Sequence, residues 1–140
     1  MRGEDGSTLP LTIFYGFLSL VLVLLVAAAS SLYLERKRLF TLADGAALVG
    51  AEAFQLDDVQ ATPGGYRPTL DTTDVAAAVS SYVAATPARF TDLQLERAET
   101  VDGRSATVEL SAYWRPPVVS VLVPDGLRID VTAVARSVFF

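Results

Sequence analysis

Asp57 and Asp58 stand side by side ahead of the stretch "ATPGGYRP", and neighbouring carboxylates in a loop are one way to hold a hard cation. Two adjacent acids do not make a calcium loop, however, because that needs oxygen ligands at alternating positions around a glycine turn. The other ionisable residues are mostly strand-face charges (Arg97, Glu109, Arg128, Asp130) or turn residues (Asp102, Asp125), where solvated structure explains them. The chain has no His and no Cys. That removes the commonest general base, thiol nucleophiles, zinc sites and disulfides. No nucleophile–base pair, glycine-rich phosphate cradle or metal-ligand spacing occurs. The sequence therefore assigns no catalytic, cofactor-binding or metal residue, and the expectation is a protein that is not an enzyme. One charge stands out for another reason. Asp44, in "ADGAAL", would make a polar contact at a helix–helix or subunit junction, or simply face water as charges on amphipathic helices do.

The elements that carry these residues follow from hydropathy. From Ser7 to Leu34, 28 residues pass without a charge, against the roughly 20 that cross a bilayer as a helix. Tyr15 and Tyr33 lie near the two ends, where aromatic rings favour the interface. A cleavable secretory signal is the rival reading, since "VAAAS" offers small residues. Its apolar region would be too long and its leader, "MRGED", acidic rather than basic. Residues 1–34 are thus expected to be a short leader and a transmembrane helix, with the lipid bilayer as first partner. A net charge of -5 and the lack of a basic patch argue against nucleic acid as another.

Beyond Arg36, Lys37 and Arg38, apolar residues recur at Leu39, Leu42, Ala46, Val49, Ala53 and Leu56, a heptad seam on one helix face. Thr41, Asp44, Glu52 and Gln55 fall on the opposite face. No proline lies between Thr12 and Ala61, so span and extension can form one rod. Gly45 and Gly50 flank the seam and permit close helix approach. The stripe either packs on the chain's own C-terminal domain or contacts neighbouring subunits, through Leu39, Leu42, Asp44, Ala46, Val49 and Ala53.

Residues 35–140 read as one α+β domain: the amphipathic extension 35–56, a loop 57–70, a helix 71–86, and strands 91–101, 104–115 and 127–139. Asp71 or Thr72 caps the helix and Pro87 ends it. Asp102-Gly103 signals a two-residue hairpin, which would set Leu95 opposite Leu110 and Leu93 opposite Ala112. Ala106, Val108, Leu110, Ala112 and Trp114 alternate with polar residues, as do Leu127, Ile129, Val131, Ala133 and Ala135. A three-stranded antiparallel sheet with one apolar face needs the two helices as cover. Between its last strands, "PPVVSVLVPDG" holds more apolar residues than one small core can take. It is expected to tuck against the sheet edge or to touch a membrane or partner. Phe139 and Phe140 read as core or edge packing.

The order of parts resembles the TadE/TadG-like proteins of Flp (Tad) pilus systems. The resemblance rests on Arg2-Gly3 and Gly6-Ser7 ahead of an apolar helix, then "SLYLERKRL", then "ADGAALVGAEAF" from Ala43, and covers about the first 56 residues. It implies a pilin-like, single-pass minor pilin or pseudopilin of the bacterial cell envelope that assists pilus assembly, adhesion or a related secretion system. Its partners would be other pilin-like subunits and the Tad assembly platform, in a homo- or hetero-oligomer, with the C-terminal domain outside the cytoplasm. Gly6 and Ser7 would flank a prepilin-peptidase cut. Members built like true pilins carry a Glu five residues after that cut, whereas Leu11 stands there, preceded by Pro10. A membrane-resident assembly factor fits this departure. Arg36, Lys37 and Arg38 outweigh Arg2, and by the positive-inside rule this would turn the domain inward. From Leu39 onward, however, thirteen acidic residues stand against seven basic ones, and long domains translocate with little regard to charge. The residues alone leave two other functions open: an envelope domain that binds a ligand or regulates a partner, with no pilus connection, and a cytoplasm-facing membrane adaptor.

Overall fold

The computed structural model describes residues 5–55, 59–87 and 89–137, with side chains from Thr8 onward. Leu56, Asp57, Asp58, Phe139 and Phe140 lie outside the described residues, and with them the seam's last position, the acidic pair and the terminal aromatics. The architecture is α+β, as the patterning dictates: a long N-terminal helix and a second helix pack on a three-stranded antiparallel sheet.

Helix α1 runs unbroken from Asp5 to Ala51. Pro10 falls inside its N-terminal end, where the missing N–H leaves the Gly6 carbonyl without its i+4 donor. The buried positions of its upper half are Leu39, Leu42, Ala43, Ala46, Ala47, Gly50 and Ala51. This stripe drifts from the heptad seam. Val49 and Ala53 are only half-buried, while Ala43, Ala47 and Gly50 move inward. A straight helix has 3.6 residues per turn, so a seven-residue repeat slips by about 20° each heptad unless supercoiling corrects it. Helix α1 packs on the sheet and on the short α2, so no second long helix holds it to a seven-residue repeat.

The segment expected as loop, 57–70, instead contains a hairpin of β1 (Val59–Thr62) and β2 (Gly65–Pro68). Pro63-Gly64 forms its turn, Gly65 takes φ 122°, and the Thr62 hydroxyl donates to the Gly65 carbonyl at 2.7 Å. Its faces are almost wholly exposed, so no apolar alternation advertises it. Helix α2 (Thr72–Ala85) follows. The Asp71 carboxylate caps it, accepting the Thr73 N–H at 2.7 Å, and this contact lowers the Asp71 pKa.

The sheet has the order β3 (Thr91–Glu99), β4 (Ser105–Trp114), β5 (Leu127–Arg136), with a one-turn helix α3 (Pro117–Ser120) between the last two. Helix α1 covers β4 and β5, and α2 lies against α1 and β3. The five expected residues of β4 are all buried, as are Ile129, Val131, Ala133 and Ala135 of β5. Leu127 is not. It begins β5 at the sheet's end and stands in solvent.

The β3–β4 connection departs from a two-residue turn, which would have set Glu99 opposite Ala106. The observed partner is Thr107. The Asp102 carboxylate organises this wider turn, accepting the N–H groups of Arg104 and Ser105 at 2.9 and 2.7 Å and the Ser105 hydroxyl at 2.8 Å. A bulge at Glu96 then takes up the offset, so Leu95 meets Leu110 as expected. A second shift near Asp92, at φ 51°, leaves Leu93 without the Ala112 pairing. The bulged Glu96 accepts from the Ser111 hydroxyl at 2.6 Å and from Arg128 at 3.1 Å, satisfying a serine buried on the sheet's outer face.

The three donors around Asp102 hold its pKa at about 2, below the ordinary 3.8. A lowered carboxylate pKa stabilises the fold above the unfolded value and loses that contribution as pH falls through the folded one. Asp102→Ala is therefore expected to melt in urea before the parent at neutral pH. The gap should persist down to the ordinary 3.8 and narrow as pH approaches about 2. Equal midpoints at neutral pH would show that the turn does not depend on this carboxylate.

Candidate functional site

The candidate surface is the rod α1, and it has three zones. In the first, large apolar side chains from Leu9 to Val26 are all 39–66% exposed, on every side of the helix. An all-round apolar helix with nothing packed on it has a bilayer, not water, as its compatible solvent. By length and composition α1 is a helix able to cross a membrane.

The second zone is the junction with the head. Ala28 and Leu32 begin to pack against the core, and Trp114 Nε1 donates to Ser31 Oγ at 3.2 Å. Arg36, Lys37 and Arg38 follow within two turns, all exposed, and Arg38 reaches Glu35 at 3.8 Å. Between Ala29, Leu32, Tyr33 and Arg36 of α1 and Arg128, Ile129 and Asp130 of β5 runs an open groove of about 490 Å³.

In the third zone the helix carries the head. Leu39, Leu42 and Ala46 are buried beneath the chain's own sheet and second helix, and Val49 and Ala53 are half-buried there. The two glycines serve the same packing. A Cβ at Gly45 would meet the Tyr82 hydroxyl at 2.5 Å, and one at Gly50 would come within 3.0 Å of Val79 and of Ala106. Close approach here is α2 crossing α1 within one chain. Asp44 is exposed and makes no hydrogen bond or ion pair among the described residues. With Phe40 and Leu48 it forms an i, i+4, i+8 stripe turned away from the head, and both apolar members are about half exposed. Gly6 and Ser7 lie in the first turn of α1.

Sequence reasoning missed this outward stripe because it looked for a seam, and one charge between two apolar residues does not make one. Among the described residues no group of three or more acids is placed to hold a metal ion. Neither a curated protein nor a solved structure matches the chain. Residues 6–53 match the family model Tad, described as Flp pilus-assembly TadE/G-like. The match begins and ends within two residues of α1 itself, Asp5–Ala51. The rod is therefore the part of this chain that is similar to the TadE/G-like Flp pilus-assembly family, and the same helix is long and apolar enough to cross a membrane.

Proposed function

We propose that this chain is a single-pass minor pilin or pseudopilin-like subunit that assists assembly of a Flp/Tad pilus or a related secretion apparatus. The observation that carries this reading is the coincidence of the family match with α1: the matched residues are those of the rod. Because Leu39, Leu42 and Ala46 are already used inside the chain, subunit contacts would run along the lipid-facing lower half and the outward Phe40–Asp44–Leu48 stripe. The role is structural rather than catalytic, in the cell membrane, with the head outside the cytoplasm and pilin-like subunits and the assembly platform as partners.

Deleting the gene is expected to abolish surface pili, and a tagged full-length chain to recover platform components from detergent extracts. Normal piliation together with an empty eluate would sink the proposal. Val101→Cys, at an exposed position in a chain without other cysteines, reports the side of the head by labelling in intact cells. N-terminal sequencing of the native protein decides whether the Gly6–Ser7 bond is cut. A second reading, an envelope domain that binds or regulates something unrelated to pili, draws on the head's position outside the matched residues. Retained piliation with labelling at position 101 would favour it.

A further inference from the structure

We propose that the β4–β5 connection is a second membrane contact: an apolar wedge that dips into the bilayer leaflet facing the head. The proposal rests on α1 spanning the membrane, as in the reading above.

The depth of the wedge follows from register along the rod. Gly50 packs on Ala106 and Ser31 bonds Trp114, so β4 runs down α1 toward its apolar half. The lengths agree: nineteen helical residues rise about 28 Å and eight strand residues about 26 Å. The β4–β5 pairing ends at Trp114 and Leu127, so the connection 115–126 leaves the sheet at the end level with Ser31, and its helix α3 touches α1. That level lies within the uncharged run from Ser7 to Leu34. Arg36, Lys37 and Arg38 stand roughly 7–10 Å higher, at a helical rise that suits lipid phosphates when Ser31 is at the hydrocarbon edge.

The loop's composition suits that depth. From Pro116 to Pro124 there is no charge. Val119 turns in against the core, while Val121 and Leu122 at the tip are 80% and 83% exposed and Val118 is exposed beside them. Charge returns only at the base, where Arg115 donates to the Asp125 carbonyl at 3.2 Å and pairs with Asp92 at 2.9 Å. An apolar tip on a charged, hydrogen-bonded base matches the polarity gradient of a bilayer interface. An exposed patch of this kind beside a membrane span is a continuation of the same lipid-facing surface.

The absence of cysteine makes the test direct. Leu122→Cys, Leu20→Cys and Val101→Cys are each labelled with an environment-sensitive NBD fluorophore in the full chain. Each is then reconstituted into phosphatidylcholine–phosphatidylglycerol vesicles, with or without acyl-chain nitroxide lipid. Leu20 reports the span, and Val101, exposed at the opposite end of the sheet, reports water. The label at 122 is expected to emit to the blue of the one at 101, to resist aqueous iodide, and to be quenched by nitroxide about as strongly as the one at 20. Water-like emission at 122 with lipid quenching at 20 overturns the wedge and leaves the span standing. Blue emission at 122 without nitroxide quenching also overturns it, because the tip is then buried against protein. No nitroxide quenching at 20 overturns the span and the wedge together.

Discussion

Gly50→Leu is expected to unfold the head while leaving the rod in the membrane. Two elements, β4 and α2, converge on this residue of α1. A Cβ there would stand 3.0 Å from Ala106 of β4, 3.0 Å from Val79 of α2 and 3.2 Å from Val75. None of these neighbours is the loose end of a flexible side chain, and all three are themselves fully buried. Leucine adds three more carbons beyond the Cβ, so either α2 or the sheet must lift from α1. Overpacking a filled core commonly costs about 1–3 kcal/mol, and more where backbone must move. A head of this size has a total stability on the order of 5 kcal/mol. Gly16→Leu provides the contrast, since a side chain at that position meets nothing within 4 Å. It should leave the melt unchanged and raise helix propensity by under about 1 kcal/mol. The measurement is urea unfolding in detergent, followed by the near-ultraviolet signal of Trp114, the chain's one tryptophan. An unchanged midpoint for Gly50→Leu would mean that α1 and the sheet do not meet as described.

Much of this architecture is legible in the sequence because hydropathy acts locally. The uncharged run, the Asp71 cap and the strict alternation of β4 each depend on neighbouring residues, and each appears where its pattern lies. What cannot be read locally is which surface a pattern will meet. The small-residue stripe from Leu39 to Ala53 has the same composition whether its partner is another chain or its own sheet, and only the fold assigns it inward. Register shows a related limit. The Leu95–Leu110 pairing is reached through a wider turn and a compensating bulge, so the right partner follows from an argument that missed two features. The Glu96 bulge left a faint trace, since the apolar positions Leu93, Leu95 and Ala98 step by two and then by three. Leu127 keeps the alternation of β5 yet ends in solvent, because pattern encodes the face of a strand and not where its cover stops. The outward stripe was hidden for the same reason, being defined by what does not pack on it. The apolar excess of the loop at Leu122 was legible, but not that Val119 turns inward while Val121 and Leu122 stay exposed.

The neighbouring residues Leu39 and Phe40 separate the rod's support of the head from the association proposed for its outward stripe. Leu39 is fully buried under the head, whereas Phe40 is 47% exposed on the outward stripe with Asp44 and Leu48. Leu39→Asp buries a carboxylate with no cationic partner in an apolar core. The loss of packing and the cost of desolvation together reach about 4 kcal/mol or more, comparable to the stability of the whole head. The Trp114 unfolding transition should then disappear, and the co-purified assembly components with it. Phe40→Asp alters an exposed position, where substitutions commonly change stability by under about 0.5 kcal/mol. Its melt should match the parent, yet a new charge on a helix–helix contact face would reduce recovery of the platform. The two variants thus dissociate folding from association, which Leu39→Asp alone cannot do. Should Leu39→Asp melt like the parent, the head does not depend on the rod. Should Phe40→Asp retain both the melt and the partners, the outward stripe is not where neighbouring subunits meet, and the lipid-facing half below Leu34 must carry those contacts alone.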